Sequence, residues 1–111
     1  MADSKITQRA ADNIRVLAAA MVEKASSGHP GGAMGGADYI NILFTEYMNY
    51  DPQDPAWPFR DRFFLDPGHM SAMLYSQLHL LGHYSVEDLQ HFRQWGSPTP
   101  GHPEIDVDRG V

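Results

Sequence analysis

Between Ile6 and Ala25 the apolar side chains fall at Ile6, Ala10, Ile14, Leu17, Ala18, Met21, Val22 and Ala25. Steps of three and four put them on one face of a helix, and a helix with one apolar face has to lay it against other elements. Asp3 or Ser4 caps its start, Lys24 stands in the last turn where the dipole favours a cation, and Gly28 with Pro30 ends it. The rest of the chain is read by what it offers to that face.

A second helix is predicted from Gly32–Met34 onward, turning Met34, Ala37, Ile40, Phe44, Tyr47 and Met48 inward until Asp51, before Pro52, is forced out of helical geometry. Gly35 and Gly36 weaken it by about 1 kcal/mol each against Ala, so a close-packed backbone or a ligand is expected beside them. "YDPQDPAWPF" is a proline-studded loop leading to "RFFL", Arg62 to Leu65, which is bulky enough for a short buried strand. Pro67 and Gly68 stop that strand. A third helix runs from His69 to about Leu81 with Met70, Met73, Leu74, Leu78 and Leu81 on one face, and Gly82 stops it. Ser85 caps a fourth helix through Phe92, with Asp88 completing a weaker capping box. "GSPTPGHPEIDVDRGV" has no periodicity and reads as extended loop, and no closing element precedes Val111, as in a chain cut short. The expectation is a mostly α chain with one short strand, in a single unit over residues 1–111.

The 111 residues leave room for one modest core, and the mix of 42% hydrophobic and 20% charged residues is that of a folded chain. A net charge of −6 with eight scattered basic residues excludes nucleic-acid binding through phosphates, and no long apolar run calls for a membrane. With no Cys there is neither a disulfide framework nor a thiolate metal site, and with no signal-like start a cytoplasmic location is expected.

Three histidines share a local grammar. His29, His69 and His102 each follow a glycine, in "GHPGG", "PGHM" and "PGHPE". Glycine and proline neighbours hold them out of regular hydrogen-bonded interiors, which leaves their imidazoles available to a ligand. His69 at a helix N-terminus suits a phosphate, where free backbone N–H groups and the positive dipole end add to an imidazole donor. His29, between two helix ends, suits the same anion or a proton shuttle, since an unperturbed imidazole titrates at about pH 6.5. His102 lies in a loop placed to fold over a site.

Surface histidines without a role are the plain alternative, and a zinc site is the rival use of three imidazoles. No pair of these three has the helical spacing of a metalloprotease motif, and the i, i+4 pair His79 and His83 is split by Gly82. His91 reads as solvated. "GHPGGAMGG" matches neither the dinucleotide glycine pattern nor a P-loop, because no Lys follows and a helix precedes it.

Taken in order, "SGHPGGAMGGADYINILF", "GHMSAMLYSQLHLLG" and "FRQWGSPTPGHPE" resemble the N-terminal part of the transketolases, along nearly the whole chain. The resemblance implies a fragment of an α/β fold, the incomplete N-terminal portion of the domain that binds the cofactor diphosphate. It implies transfer of a two-carbon ketol unit from a ketose phosphate to an aldose phosphate, with thiamine diphosphate and Mg2+, in the pentose phosphate pathway. His29 is then the residue that contacts substrate and assists proton transfer, His102 lines the substrate channel, and His69 contacts the diphosphate. Arg93 is a weaker correspondence. Where the family has "GHGS" this chain has Gly68-His69-Met70-Ser71, and the spacing of Met70 to Met73 and Leu74 directs it into the apolar face.

The resemblance also implies a homodimer in the full-length protein, magnesium ligands outside this chain, and little activity from these 111 residues alone. Apolar surface meant for a missing sheet should make the chain prone to self-association. Two alternatives stay open: the N-terminal subunit of a split transketolase or a related thiamine enzyme, and a non-catalytic helical interaction module.

Overall fold

A computed structural model describes residues 4–111; the alternative cap Asp3 lies outside them. Helix α1 spans Ser4–Ala25, with Lys24 in its last turn. It buries Ala11, Ile14, Ala18 and Met21, whereas Ile6 stays exposed beyond the reach of the core.

The predicted second helix is broken. It starts earlier, as α2 (Pro30–Gly35), because Pro30 occupies the first turn, where its missing N–H costs nothing. At Gly36 the backbone leaves helical geometry (φ −89°, ψ 1°), and α3 (Ala37–Ile42) begins. A π-helical turn, Leu43–Tyr47, follows and closes with the Met48 N–H donating to the Leu43 carbonyl at 2.9 Å. The break rotates the face that points inward. Ala33, Ala37, Ile40 and Phe44 are buried, while Met34 and Tyr47 turn outward.

A 3-10 turn, Gly68–Met70, leads into α4 (Ser71–Leu80). Every residue from Ser71 to Leu78 is buried, not one face alone. A helix covered on all sides is the centre of its layer; α1, α2, α3 and α5 (Val86–Gln90) all pack against α4. The short α5 has the expected capping box: Ser85 Oγ accepts from the Asp88 N–H, and Asp88 Oδ2 accepts from the Ser85 N–H, both at 3.0 Å.

Arg62–Leu65 forms no strand and pairs with no neighbouring segment as a ladder among the described residues, against the expectation of a short strand. Side-chain bulk alone does not make a strand; ladder partners do. Phe63 instead packs edge to face on Phe44, joining Tyr50 in a small aromatic cluster (centroids 5.5 Å apart in each pair). The segment after Gly96 includes one 3-10 turn, Val107–Arg109, in which Arg109 donates to the Asp106 carboxylate at 2.7 Å. Phe59, Phe64, Trp95 and Ile105 project into solvent, so much apolar surface does lie open.

Candidate functional site

The three Gly-His turns converge. His29 is the residue before α2, held extended (φ −128°, ψ 100°) by the turn that reverses the chain after α1. His69 is the middle residue of the 3-10 turn that starts α4. Their rings meet edge to face, centroids 4.9 Å apart and planes at 69°. The His102 ring lies against Gly68, so closely that a Cβ there would stand 3.0 Å from Nδ1. All three side chains are exposed, so the cluster faces outward from the helical layer.

Each glycine of the grammar has a tertiary reason. Gly68 makes room for the His102 ring. Gly28 has φ +127°, and a Cβ on it would crowd Phe92 and Val22 at 3.1 Å. Gly101 lies under the Arg93 guanidinium, where a Cβ would approach Nε to 2.6 Å. The glycines let segments approach closely enough to bring three imidazoles to one place.

The aperiodic loop that carries His102 is nonetheless fixed. Ser71 Oγ donates to the Gly101 carbonyl (2.5 Å), Tyr75 Oη to the Pro100 carbonyl (2.6 Å), and Thr99 Oγ1 to the Asp88 carbonyl (3.0 Å). These bonds tie the loop to α4 and α5. Burial pushes the Tyr75 phenol well above its ordinary range, so it remains a donor. Nothing local in the sequence announces Ser71, Tyr75 and Thr99, because each makes its bond across the fold; Ser71, two residues after His69 in "GHMS", is the nearest signal.

Met70, at the family's usual glycine position, points inward as its spacing implies. It is received by α2: a Cβ on Gly32 would stand 2.9 Å from Met70 Cγ, and one on Gly36 3.2 Å from Met70 Cε and 2.6 Å from Met73 Sδ. The neighbour beside the paired glycines is thus neither the backbone nor the ligand expected from the sequence but methionine side chain, and that at Gly36 only, while Gly35 has open space.

The remaining histidines have backbone partners. His79 Nδ1 lies 2.7 Å from the Tyr84 carbonyl, and His91 Nδ1, on an exposed side chain, 2.8 Å from that of Glu87. His83 reaches the Arg109 and Pro52 carbonyls, both at 2.9 Å. No three His, Asp or Glu side chains are grouped as metal ligands among the described residues.

The chemistry of this donor set suits an anionic, hydroxyl-rich ligand: imidazoles that give or take a proton, beside the turn that leads into the positive dipole end of the ten-residue helix α4. It fits a diphosphate and a sugar phosphate. It does not fit magnesium, which needs oxygen ligands that the cluster lacks.

The three Gly-His turns converge on one open face of the helical layer, and their donors are of the kind that suits an anion. Residues 6–111 match the family model described as "Transketolase, thiamine diphosphate binding domain", and the chain belongs to that family. It is 53% identical over 107 residues to a transketolase of Halalkalibacterium halodurans, covering 96% of this chain and 16% of that protein. The Leishmania mexicana transketolase structure superposes on all of it with a TM-score of 0.89 at 47% identity, using 16% of that chain. The Pichia stipitis transketolase in complex with sedoheptulose 7-phosphate superposes on 91% of it, and 15% of that chain, with a TM-score of 0.81 at 47% identity. The chain therefore spans about one sixth of the relatives it matches.

Proposed function

We propose that this chain is the imidazole-bearing wall of a transketolase active site. The whole protein would then transfer a two-carbon ketol unit from a ketose phosphate to an aldose phosphate, as a cytoplasmic homodimer in the pentose phosphate pathway. The observation that carries the reading is the convergence of His29, His69 and His102 on one open face. The sugar phosphate bound by the Pichia stipitis relative supports the substrate class.

Thiamine diphosphate, when bound, supplies the electron sink that makes a carbon–carbon bond labile. His69, in the turn that leads into α4, would hold its diphosphate, with the helix dipole adding to the imidazole. Magnesium, if the protein uses it, would need oxygen ligands from outside these residues. His29, exposed and in ring contact with His69, would move the proton of a sugar hydroxyl at an imidazole nitrogen. His102, seated on Gly68, borders the path by which sugar reaches His29. Phe64 and the other exposed apolar side chains meet the remainder of the polypeptide.

The test is a ketol-transfer assay on the polypeptide carrying this segment, with a ketose phosphate donor and an aldose phosphate acceptor. Transfer that depends on thiamine diphosphate and magnesium is expected. Absence of transfer with both supplied would refute the reading.

A further inference from the structure

Arg93 occupies a backbone position that an arginine should not prefer. Its φ is +64°, in the left-handed region where glycine is favoured and a residue with a Cβ is strained. Something outside the local backbone holds a long side chain there.

The contacts of that side chain say what it does. Nη1 donates to Ser27 Oγ at 3.0 Å. The guanidinium lies so close over Gly101 that an added Cβ would meet Nε at 2.6 Å, Nη2 at 2.9 Å and Cζ at 3.1 Å. Nη1 also lies 3.7 Å from where a Cβ of Gly28 would be, an ordinary contact. The same residue's N–H donates to the Thr99 carbonyl at 2.9 Å, and Cζ stands 5.9 Å from the centre of the Phe92 ring. Among the described residues it makes no ion pair. The planar fork therefore packs tightly on Gly101 and touches the Ser27–Gly28 turn, and Gly28 and Gly101 are the residues immediately before His29 and His102.

We infer that Arg93 is the positioning residue that sets the His29 loop and the His102 loop at a fixed separation. Gly101 is small so that the guanidinium can lie over it, and the hydrogen bond to Ser27, next to Gly28, is the other end of the bridge. This inference rests on the reading of His29 and His102 as site residues. It assigns Arg93 no contact with substrate.

The test is hydrogen–deuterium exchange on the whole polypeptide carrying this segment, in parallel with ketol-transfer kinetics, for Arg93→Gly, Arg93→Lys and Ser27→Ala. Arg93→Gly relieves the left-handed backbone while removing the bridge, so the fold is expected to survive. In Arg93→Gly, exchange rises about tenfold in peptides covering both 26–29 and 97–102, with α1 and α4 unchanged. In the same variant kcat falls by about tenfold to a hundredfold. Arg93→Lys, which returns one donor towards Ser27, recovers part of both, and Ser27→Ala loosens the 26–29 peptide. Unchanged exchange in the two loops, a rise in one loop only, or a uniform rise that includes α1 and α4 would overturn the inference. If the unsubstituted protein performs no ketol transfer, the functional reading falls while the exchange comparison still decides the role of Arg93.

Discussion

The imidazoles of His29 and His69 stand edge to face at 4.9 Å, one at the end of the turn after α1 and the other at the threshold of α4. A ligand that engages one is within reach of the other, which makes a division of labour between them testable. His29→Ala should lower the turnover of ketol transfer by about 10²–10⁴, the range for loss of a proton-transfer group. His102→Ala should act mainly by raising the KM for the sugar phosphate. Steady-state kinetics at saturating cofactor separate the two; a His29→Ala variant with undiminished kcat would remove His29 from proton transfer.

Much of this site was legible as residue types and little of it as geometry. The repeated Gly-His turns mark three exposed imidazoles from sequence, and "SGHPGG", "GHMS" and "TPGHPE" carry the family. That His102 rests on Gly68, and that Arg93 fills the space above Gly101, depends on contacts between segments far apart in the chain. The α1 periodicity survives almost intact because one face does all its packing. The α2–α3 break does not show in a periodicity count; the paired glycines mark the weak point, and the helical geometry is lost at Gly36, where a Cβ would meet Met73 Sδ at 2.6 Å. "RFFL" has the composition of a strand, but pairing is a property of two segments and not of one.

The paired glycines of α2 should respond in opposite directions to alanine. Gly35 has nothing within 4 Å of an added Cβ and no positive φ, so Gly35→Ala should stabilise by about 0.4–1 kcal/mol. At Gly36 the new Cβ would meet Met73 Sδ at 2.6 Å. Gly36→Ala should therefore destabilise by about 1–3 kcal/mol, less whatever helix propensity returns. Thermal unfolding of the two variants side by side checks this, and equal shifts in midpoint would contradict it.

Alkaline pH should loosen the layer around α4. Burial, reinforced by the Asp106 charge, pushes the Tyr84 phenol up to about 12, and burial raises its neighbour Tyr75 as well. A raised folded-state value means that stability is complete below the unfolded value near pH 10 and is lost as pH climbs through the folded one. Urea midpoints should hold steady up to about pH 10 and then fall towards pH 12, with a shallower fall in Tyr84→Phe. A slope identical in the two proteins would exclude Tyr84 as a source.

The capping box of α5 also supports the His102 loop, because Thr99 bonds to the Asp88 carbonyl. Ser85→Ala should cost about 1 kcal/mol and lower the unfolding midpoint. It should also raise amide exchange at residues 97–102. A stability loss with no change in that segment would mean the loop is held without α5.

The central claim is that this chain supplies the histidine wall of a thiamine diphosphate site, and calorimetric titration with thiamine diphosphate and magnesium tests it most directly. The comparison is between the whole polypeptide carrying this segment and its His69→Ala variant. The account predicts binding by the unsubstituted protein and an affinity lower by about tenfold to a hundredfold in the variant, as for a lost charge-assisted hydrogen bond. Equal affinity in the two proteins would contradict it.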